Sequence, residues 1–277
     1  MNEMTFEDDY IDAAGVRTHY LRAGDPDLPT TVLIHGGGAG ADARGNWSTV
    51  IPLLSDDFHV IAYDMPGFGD TDKPDPARFD YSQGARNRHL AAFVEALGRG
   101  PVNLVGNSMG GATSLGLAVD RPDLVSRLVL MGSAGLNAEL SPALMPIINY
   151  DFTPDGMRAL INALTGDGFV TDEELVRYRH ERSCDESTRS AYGAIMTWIK
   201  EQGGLFYDDD YIRRVEAPTL IVNGKQDLVV PLENAYRFLE LIDNSWAYII
   251  PHCGHWAMLE ATDDFVWSTR AFLLGRA

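Results

Sequence analysis

A chain of 277 residues, 45% hydrophobic and 22% charged, has the composition of a folded protein and is too apolar for disorder; at this length an α/β chain builds one domain on a large core. A formal charge of -18 repels phosphate backbones and anionic membrane surfaces, which excludes nucleic acid as a partner. No apolar run reaches the roughly 18 residues of a membrane span and the opening MNEMTFEDDY is acidic where a secretory leader is basic, so no membrane partner and a cytoplasmic location are expected.

From the N-terminus, residues 5–23 read as an antiparallel hairpin. Short β-branched and aliphatic runs then recur at 31–37 (TTVLIHG), 58–64 (FHVIAYD), 101–107 (PVNLVGN) and 126–132 (SRLVLMG), the pattern of strands buried on both faces of a parallel sheet. Between them, 87–97 and 110–119 carry apolar residues at helical spacing, as crossover helices do. The fold class is therefore α/β, a mostly parallel sheet with helices on both faces. The rhythm breaks after Gly132: 136–206 lacks strand signals and reads as short helices punctuated by Pro142, Pro146 and Pro154, an inserted helical lid. Sheet character resumes at 217–224, followed by a helix at 232–242, a strand at 246–250 and a closing helix from 262. The core is thus split into 1–135 and 207–277, with the lid between. Cys184 and Cys253 lack C-x-x-C or zinc-type spacing and read as free thiols.

Gly106-Asn107-Ser108-Met109-Gly110 is a G-x-S-x-G sequence that follows a strand and opens a helix, the context in which a sharp turn lifts a serine hydroxyl out of the sheet. Serine is a weak nucleophile and needs a base, whose tautomer a carboxylate must hold. Asp227 after the strand at 219–223 and His255 after the strand at 246–250 supply both, in the Ser, acid, His order of α/β hydrolases. His252 is the rival base; Gly254-His255-Trp256, just ahead of the last helix, favours His255. Cys253 reads as packing rather than as a thiol nucleophile, and Asp64 as the holder of a Pro-Gly turn. The oxyanion donors expected are the backbone amides of Met109 and of Gly37, in the loop His35-Gly36-Gly37-Gly38, where glycines let the chain approach substrate. That loop lacks the Gly-Lys-Ser/Thr ending of a phosphate loop. On these residues alone the chain reads as a serine hydrolase acting on a small carbonyl compound.

HGGGAGADARGNW at 35–47, GNSMGGAT at 106–113 and HCGHWAMLE at 252–260 resemble the carbon–carbon bond hydrolases that cleave meta-cleavage products of aromatic ring degradation. INYDF at 148–152, GDGF at 166–169 and WIKEQGGLFYD at 198–208 are most similar to the carbazole-pathway branch, whose substrate is 2-hydroxy-6-oxo-6-(2'-aminophenyl)hexa-2,4-dienoate. The resemblance implies a small-molecule aromatic dienoate as substrate, its dienoate end bound by Asn46, Asn107, Arg179 and Trp256 beside Gly36 and Gly38. It also implies a homodimer, and the chemistry calls for no metal or cofactor. Three of these residues have an ordinary alternative: Arg179 a solvated helix charge among Arg177, Arg182 and Arg189, Asn46 a turn or cap, Trp256 core packing; Asn107 is favoured because it abuts the nucleophile. Biphenyl-type relatives carry an aromatic pair ahead of the lid arginine where this chain has ALTGDGFVTDEE at 163–174, so their distal residues are not transferred. Met145, Ile148, Phe152, Leu164, Ile195 and Trp198 are candidates for the lining of an apolar aryl pocket, with ordinary lid packing an equal alternative for each. Competing readings are a carboxylesterase or lactonase with the same three residues, and a ligand-binding sensor with little turnover; a dehalogenase or epoxide hydrolase would need an aspartate in place of Ser108.

Overall fold

The structure, a computed structural model, describes residues 6–276. The expected hairpin is present as β1 (Glu7–Ala13) and β2 (Val16–Ala23), paired antiparallel; the start of that reading, residue 5, lies outside the described residues. Next come β3 (Thr30–Ile34), α1 (Ala43–Trp47), α2 (Ile51–Leu54), β4 (His59–Tyr63), α3 (Gln83–Leu97), β5 (Val102–Asn107), α4 (Met109–Asp120) and β6 (Val125–Met131). β3, β4 and β5 are buried at every residue, which is why they appear in the sequence as unbroken aliphatic runs rather than alternating ones. After β6 the chain forms β7 (Leu136–Asn137), α5 (Met145–Ile148), α6 (Pro154–Leu164), α7 (Glu173–Ser183), α8 (Glu186–Gln202) and β8 (Leu205–Phe206). It closes with α9 (Asp209–Ile212), β9 (Thr219–Gly224), α10 (Leu232–Leu241), β10 (Ser245–Ile250), α11 (Ala257–Glu260) and α12 (Thr262–Leu273).

The eight-stranded sheet runs β1-β2-β4-β3-β5-β6-β9-β10, parallel from β4 to β10. Strand order reverses at β3, which lies between β4 and β5, and the crevice beyond the carboxyl ends at such a reversal is where open α/β sheets bind ligands. The His35–Gly38 loop and Ser108 both leave the sheet there.

β6 and β9 are neighbours, pairing Leu128 with Thr219, so α5–α8 form an excursion from the sheet. Each longer helix of the excursion is capped locally: Thr153, Asp172 and Asp185 accept from the N–H groups of Gly156, Leu175 and Thr188. Two features depart from expectation. Residues 136–206 are not strand-free, since β7 and β8 pair at the neck of the excursion. α3 begins at Gln83 instead of 87 because its first buried face is polar, built from Gln83, Arg86 and Asn87. β10 is half exposed, being the sheet edge. Among the described residues no helix is long and apolar enough to cross a membrane.

Candidate active site

Ser108 stands between β5 and α4 with φ 55 and ψ -118, a conformation that costs a non-glycine residue about 1–3 kcal/mol. Three backbone bonds hold it: its N–H donates to the Met131 carbonyl, and its own carbonyl accepts from Ala112 and Ala134, each at 3.1 Å. The turn tolerates no bulk. A Cβ at Gly106 would lie 2.5 Å from the Gly110 carbonyl oxygen, and one at Gly110 would strike the carbonyls of Ile34 and His35.

Asp227 and His255, more than two dozen residues apart, meet at the carboxyl ends of β9 and β10. His255 Nδ1 lies 2.7 Å from Asp227 Oδ2, with both side chains buried. The carboxylate's other oxygen accepts from the N–H groups of Val229 and Val230 at 2.9 and 2.8 Å. A carboxylate so held accepts only, so the imidazole proton sits on Nδ1 and leaves Nε2 as an acceptor. Nε2 is buried and has no hydrogen-bond partner among the described residues, and His255 shares one cavity with Ser108. Gly132 makes room for the pair: at φ +47, a Cβ there would sit 2.9 Å from His255 Nδ1. His252 is exposed on a turn. Cys253 is buried, and burial pushes its thiol up to about 12, away from reactivity. Asp64 accepts from the N–H groups of Ala43 and Asp70 at 2.6 and 2.8 Å and from His19, bracing the turn.

The glycine loop lies against the serine turn, Gly36 next to Asn107 and Gly37 next to Met109. Nothing in the local sequence marks the residue that orients it. His35 Nε2 accepts from the Met65 N–H at 3.1 Å, so Nδ1 carries the proton and donates to the Gly36 carbonyl at 2.7 Å. Burial holds this imidazole below the usual histidine range, keeping it in the neutral form these two bonds require. Only the position of Met65, thirty residues on, reveals that role.

Gly36, Gly37, Gly38, Asn46, Asn107, Ser108, Met109, Arg179, His255 and Trp256 line one cavity. Its polar groups are undersupplied with partners. Asn107 donates to the Met131 carbonyl at 3.2 Å and leaves its buried Oδ1 unbonded. Arg179, only 1% exposed, has the Ala39 carbonyl at 3.1 Å, Asn46 Oδ1 at 3.5 Å and the Trp256 ring 4.7 Å from its Cζ. Its Nε is unbonded, no carboxylate pairs with it among the described residues, and burial pushes it down to about 10. The neighbouring arginines of the sequence are accounted for otherwise: Arg177 and Arg189 are exposed, and Arg182 pairs with Asp42 and Asp70 at 2.9 Å. Asp42 also accepts from Tyr178 at 2.7 Å, which fixes α7 and turns Arg179 inward.

The rest of the lining is largely apolar, with Leu140, Leu144, Ile147, Ile148, Met196 and Ile199 among its side chains. Of the six candidates for it, Ile148 and Leu164 line the cavity; Met145, Phe152, Ile195 and Trp198 do not. Helix phase is the reason. α8 presents Met196 and Ile199, while Ile195 faces Gly67 and Trp198 lies under Arg86; Phe152 stacks beside Tyr150 and Arg189.

Residues 29–262 match the family model of the alpha/beta hydrolase fold. Over all 277 residues, and 94% of the relative's length, the chain is 54% identical to 2-hydroxy-6-oxo-6-(2'-aminophenyl)hexa-2,4-dienoic acid hydrolase of Metapseudomonas resinovorans. A serine hydrolase involved in carbazole degradation superimposes with a TM-score of 0.90 at 52% identity, covering 98% of this chain and 100% of that one. A meta-cleavage product hydrolase of Pseudomonas fluorescens does so at 0.89 and 33% identity, with 97% and 98% covered. With its sheet, its serine turn and these relatives, the chain belongs to the α/β hydrolase family, in the branch of the meta-cleavage product hydrolases.

Proposed function

We propose that this protein hydrolyses the C5–C6 bond of a 2-hydroxy-6-oxo-6-arylhexa-2,4-dienoate, the 2'-aminophenyl compound foremost and the phenyl compound as well. The observation that carries this is one cavity lined by a buried guanidinium that no carboxylate pairs with among the described residues and by many aliphatic side chains, with Ser108 and His255 on its surface. Such a site fits a molecule with a carboxylate at one terminus and an aryl ketone at the other. The name of the Metapseudomonas relative supports the aminophenyl assignment.

Ser108 is the nucleophile or water-activating hydroxyl, His255 its base and Asp227 the group that fixes the base's tautomer. Arg179 and Asn46 hold the substrate carboxylate, with Trp256 backing the guanidinium, and Asn107 meets the 2-oxygen. His255 and Ser108 first assist the shift of the 2-hydroxyl proton to C5, giving the 2,6-dioxo form. The N–H groups of Gly37 and Met109 then polarise the C6 carbonyl. As oxygen adds to C6 and the C5–C6 bond breaks, its electron pair moves through the chain to the 2-oxygen, which takes a proton. The products are 2-hydroxypenta-2,4-dienoate and an aromatic acid, anthranilate or benzoate, with one water consumed.

Residues 136–206 act as a lid over the two-part core of 1–135 and 207–277, because α5 and α8 supply most of the apolar wall. A cytoplasmic location belongs to the same proposal, and the family resemblance adds a homodimer. The test is the bleaching of the yellow aminophenyl and phenyl dienoates, with product chromatography, for the wild type and Ser108→Ala. Release of pentadienoate with anthranilate or benzoate, lost in the variant, is the expected result. Turnover of p-nitrophenyl esters with both dienoates untouched would instead leave an esterase.

A further inference from the structure

Glu260 ends α11, five residues beyond His255, and has no part in the chemistry above. Its carboxylate accepts three backbone N–H groups: Oε2 takes Gly166 at 2.8 Å and Gly254 at 2.9 Å, and Oε1 takes Trp256 at 2.9 Å. Gly254 and Trp256 are the residues on either side of His255, whereas Gly166 belongs to the turn after α6. A fourth bond crosses the same seam directly, from the His255 N–H to the Leu164 carbonyl at 3.0 Å. Leu164 is itself a wall of the cavity.

The His255 loop has no regular structure of its own, lying between β10 and α11. Asp227 fixes the imidazole, and the Gln226 N–H holds the Cys253 carbonyl at 2.8 Å; the peptide planes flanking His255 are held by Glu260 and Leu164. Bonds to a charged carboxylate are roughly twice as strong as neutral ones. We propose that Glu260 is a positioning residue for His255, clamping the base's loop and the 164–166 corner of the excursion into one unit. The corner therefore stays with the sheet while substrate enters, and opening takes place elsewhere in α5–α8. This rests on the reading of His255 as the base.

The test uses Glu260→Ala and Glu260→Gln in the full chain. Alanine removes all three acceptors. Glutamine offers one oxygen in place of two, so it keeps one side of the clamp and turns an NH₂ toward an N–H on the other. Displacing a reacting group by about 1 Å costs on the order of a hundredfold in rate. Glu260→Ala is accordingly expected to lower kcat by about 10- to 100-fold on both the aminophenyl dienoate and p-nitrophenyl acetate, with KM moving less than about threefold; Glu260→Gln falls between. Hydrogen exchange of segments 163–169 and 252–258 is expected to quicken together. A folded Glu260→Ala enzyme with wild-type kcat overturns the proposal, as does quickened exchange confined to 163–169, the mark of a purely structural peg. Should the alanine variant fail to fold, the glutamine variant carries the same comparison. A wild type inert on the dienoate but active on the ester refutes the substrate reading alone, and Glu260 is then judged on ester kcat and exchange.

Discussion

Replacing Arg179 with methionine separates binding from folding. Burial lowers this guanidinium from 12.5 to about 10, and at about 1.36 kcal/mol per unit the folded state bears roughly 3 kcal/mol for keeping it charged. Methionine has a comparable length and removes that cost. It also leaves the Ala39 carbonyl, now at 3.1 Å from Nη2, without its partner, a loss of about 1–3 kcal/mol. The net expectation for Arg179→Met is unchanged stability or a gain of up to about 2 kcal/mol, a melting shift of at most about +4 °C for a chain of this size. Function moves the other way. Deleting one partner of a buried carboxylate–guanidinium pair costs about 2–5 kcal/mol, which is roughly 30-fold to several-thousand-fold in kcat/KM on the dienoate. p-Nitrophenyl acetate has no carboxylate to place, so its kcat/KM should stay within about threefold of wild type. Calorimetry and parallel kinetics on the two substrates decide the matter. A variant that melts well below wild type, or loses ester and dienoate turnover equally, would show Arg179 to be a strut and refute the reasoning.

Gly132→Ala puts a methyl group 2.9 Å from His255 Nδ1 and 3.1 Å from Asp227 Oδ2 at φ +47; kcat should fall about a hundredfold on both substrates, and wild-type kcat in a folded variant would contradict the packing described. Acid stability should depend on His89, which burial pushes down to about 4 while it faces Thr18 and Tyr63. Its folded pKa lies below the unfolded value near 6.5, so the unfolded chain binds the proton more tightly. Stability is full above about pH 6.5 and falls by up to about 1.36 kcal/mol per unit toward pH 4. Burial depresses His35 as well, and it acts in the same direction. His19 opposes them: burial lowers it, but Asp64 and Asp8 outweigh burial and hold it above the usual range, so its contribution is lost as pH rises. His89→Gln should flatten the fall in stability between pH 7 and pH 5 by roughly 2 kcal/mol; denaturation curves that run parallel to wild type at the two pH values would refute it.

Strands β3, β4 and β5 were legible because burial on both faces leaves runs rich in aliphatic residues, and β6 because its last four residues are buried and apolar; that signal needs no partner to be read. Ser108 was legible for a related reason, its turn being a local requirement for glycines at 106 and 110. Other features depend on groups distant in sequence. Near Gln83 only the capping Ser82 announces a helix, because the buried face is polar and satisfied by Asn87 and Thr113. β7 and β8 are two residues each and exist only as a pair. Only two of the six candidate wall residues line the cavity, because hydrophobicity marks which side chains of α8 are buried, while the direction each faces depends on how the helix docks. Four arginines near 179 are equivalent in the sequence, and only the bonds from Tyr178 and Arg182 to Asp42 tell them apart.

The neck formed by β7 and β8 has an evolutionary corollary. The chain leaves and re-enters the sheet at points about one strand spacing apart, with Gly135 also bridged to Phe206. Whatever is threaded between them, β6 and β9 keep their register, and Ser108, Asp227 and His255 keep their places at the strand ends. The reacting groups and the ring-contacting wall are then separately heritable modules, and a foreign segment spliced in at 138–204 would bring its own aryl preference to the same chemistry, on one condition. It would have to offer a backbone N–H where Gly166 now meets Glu260.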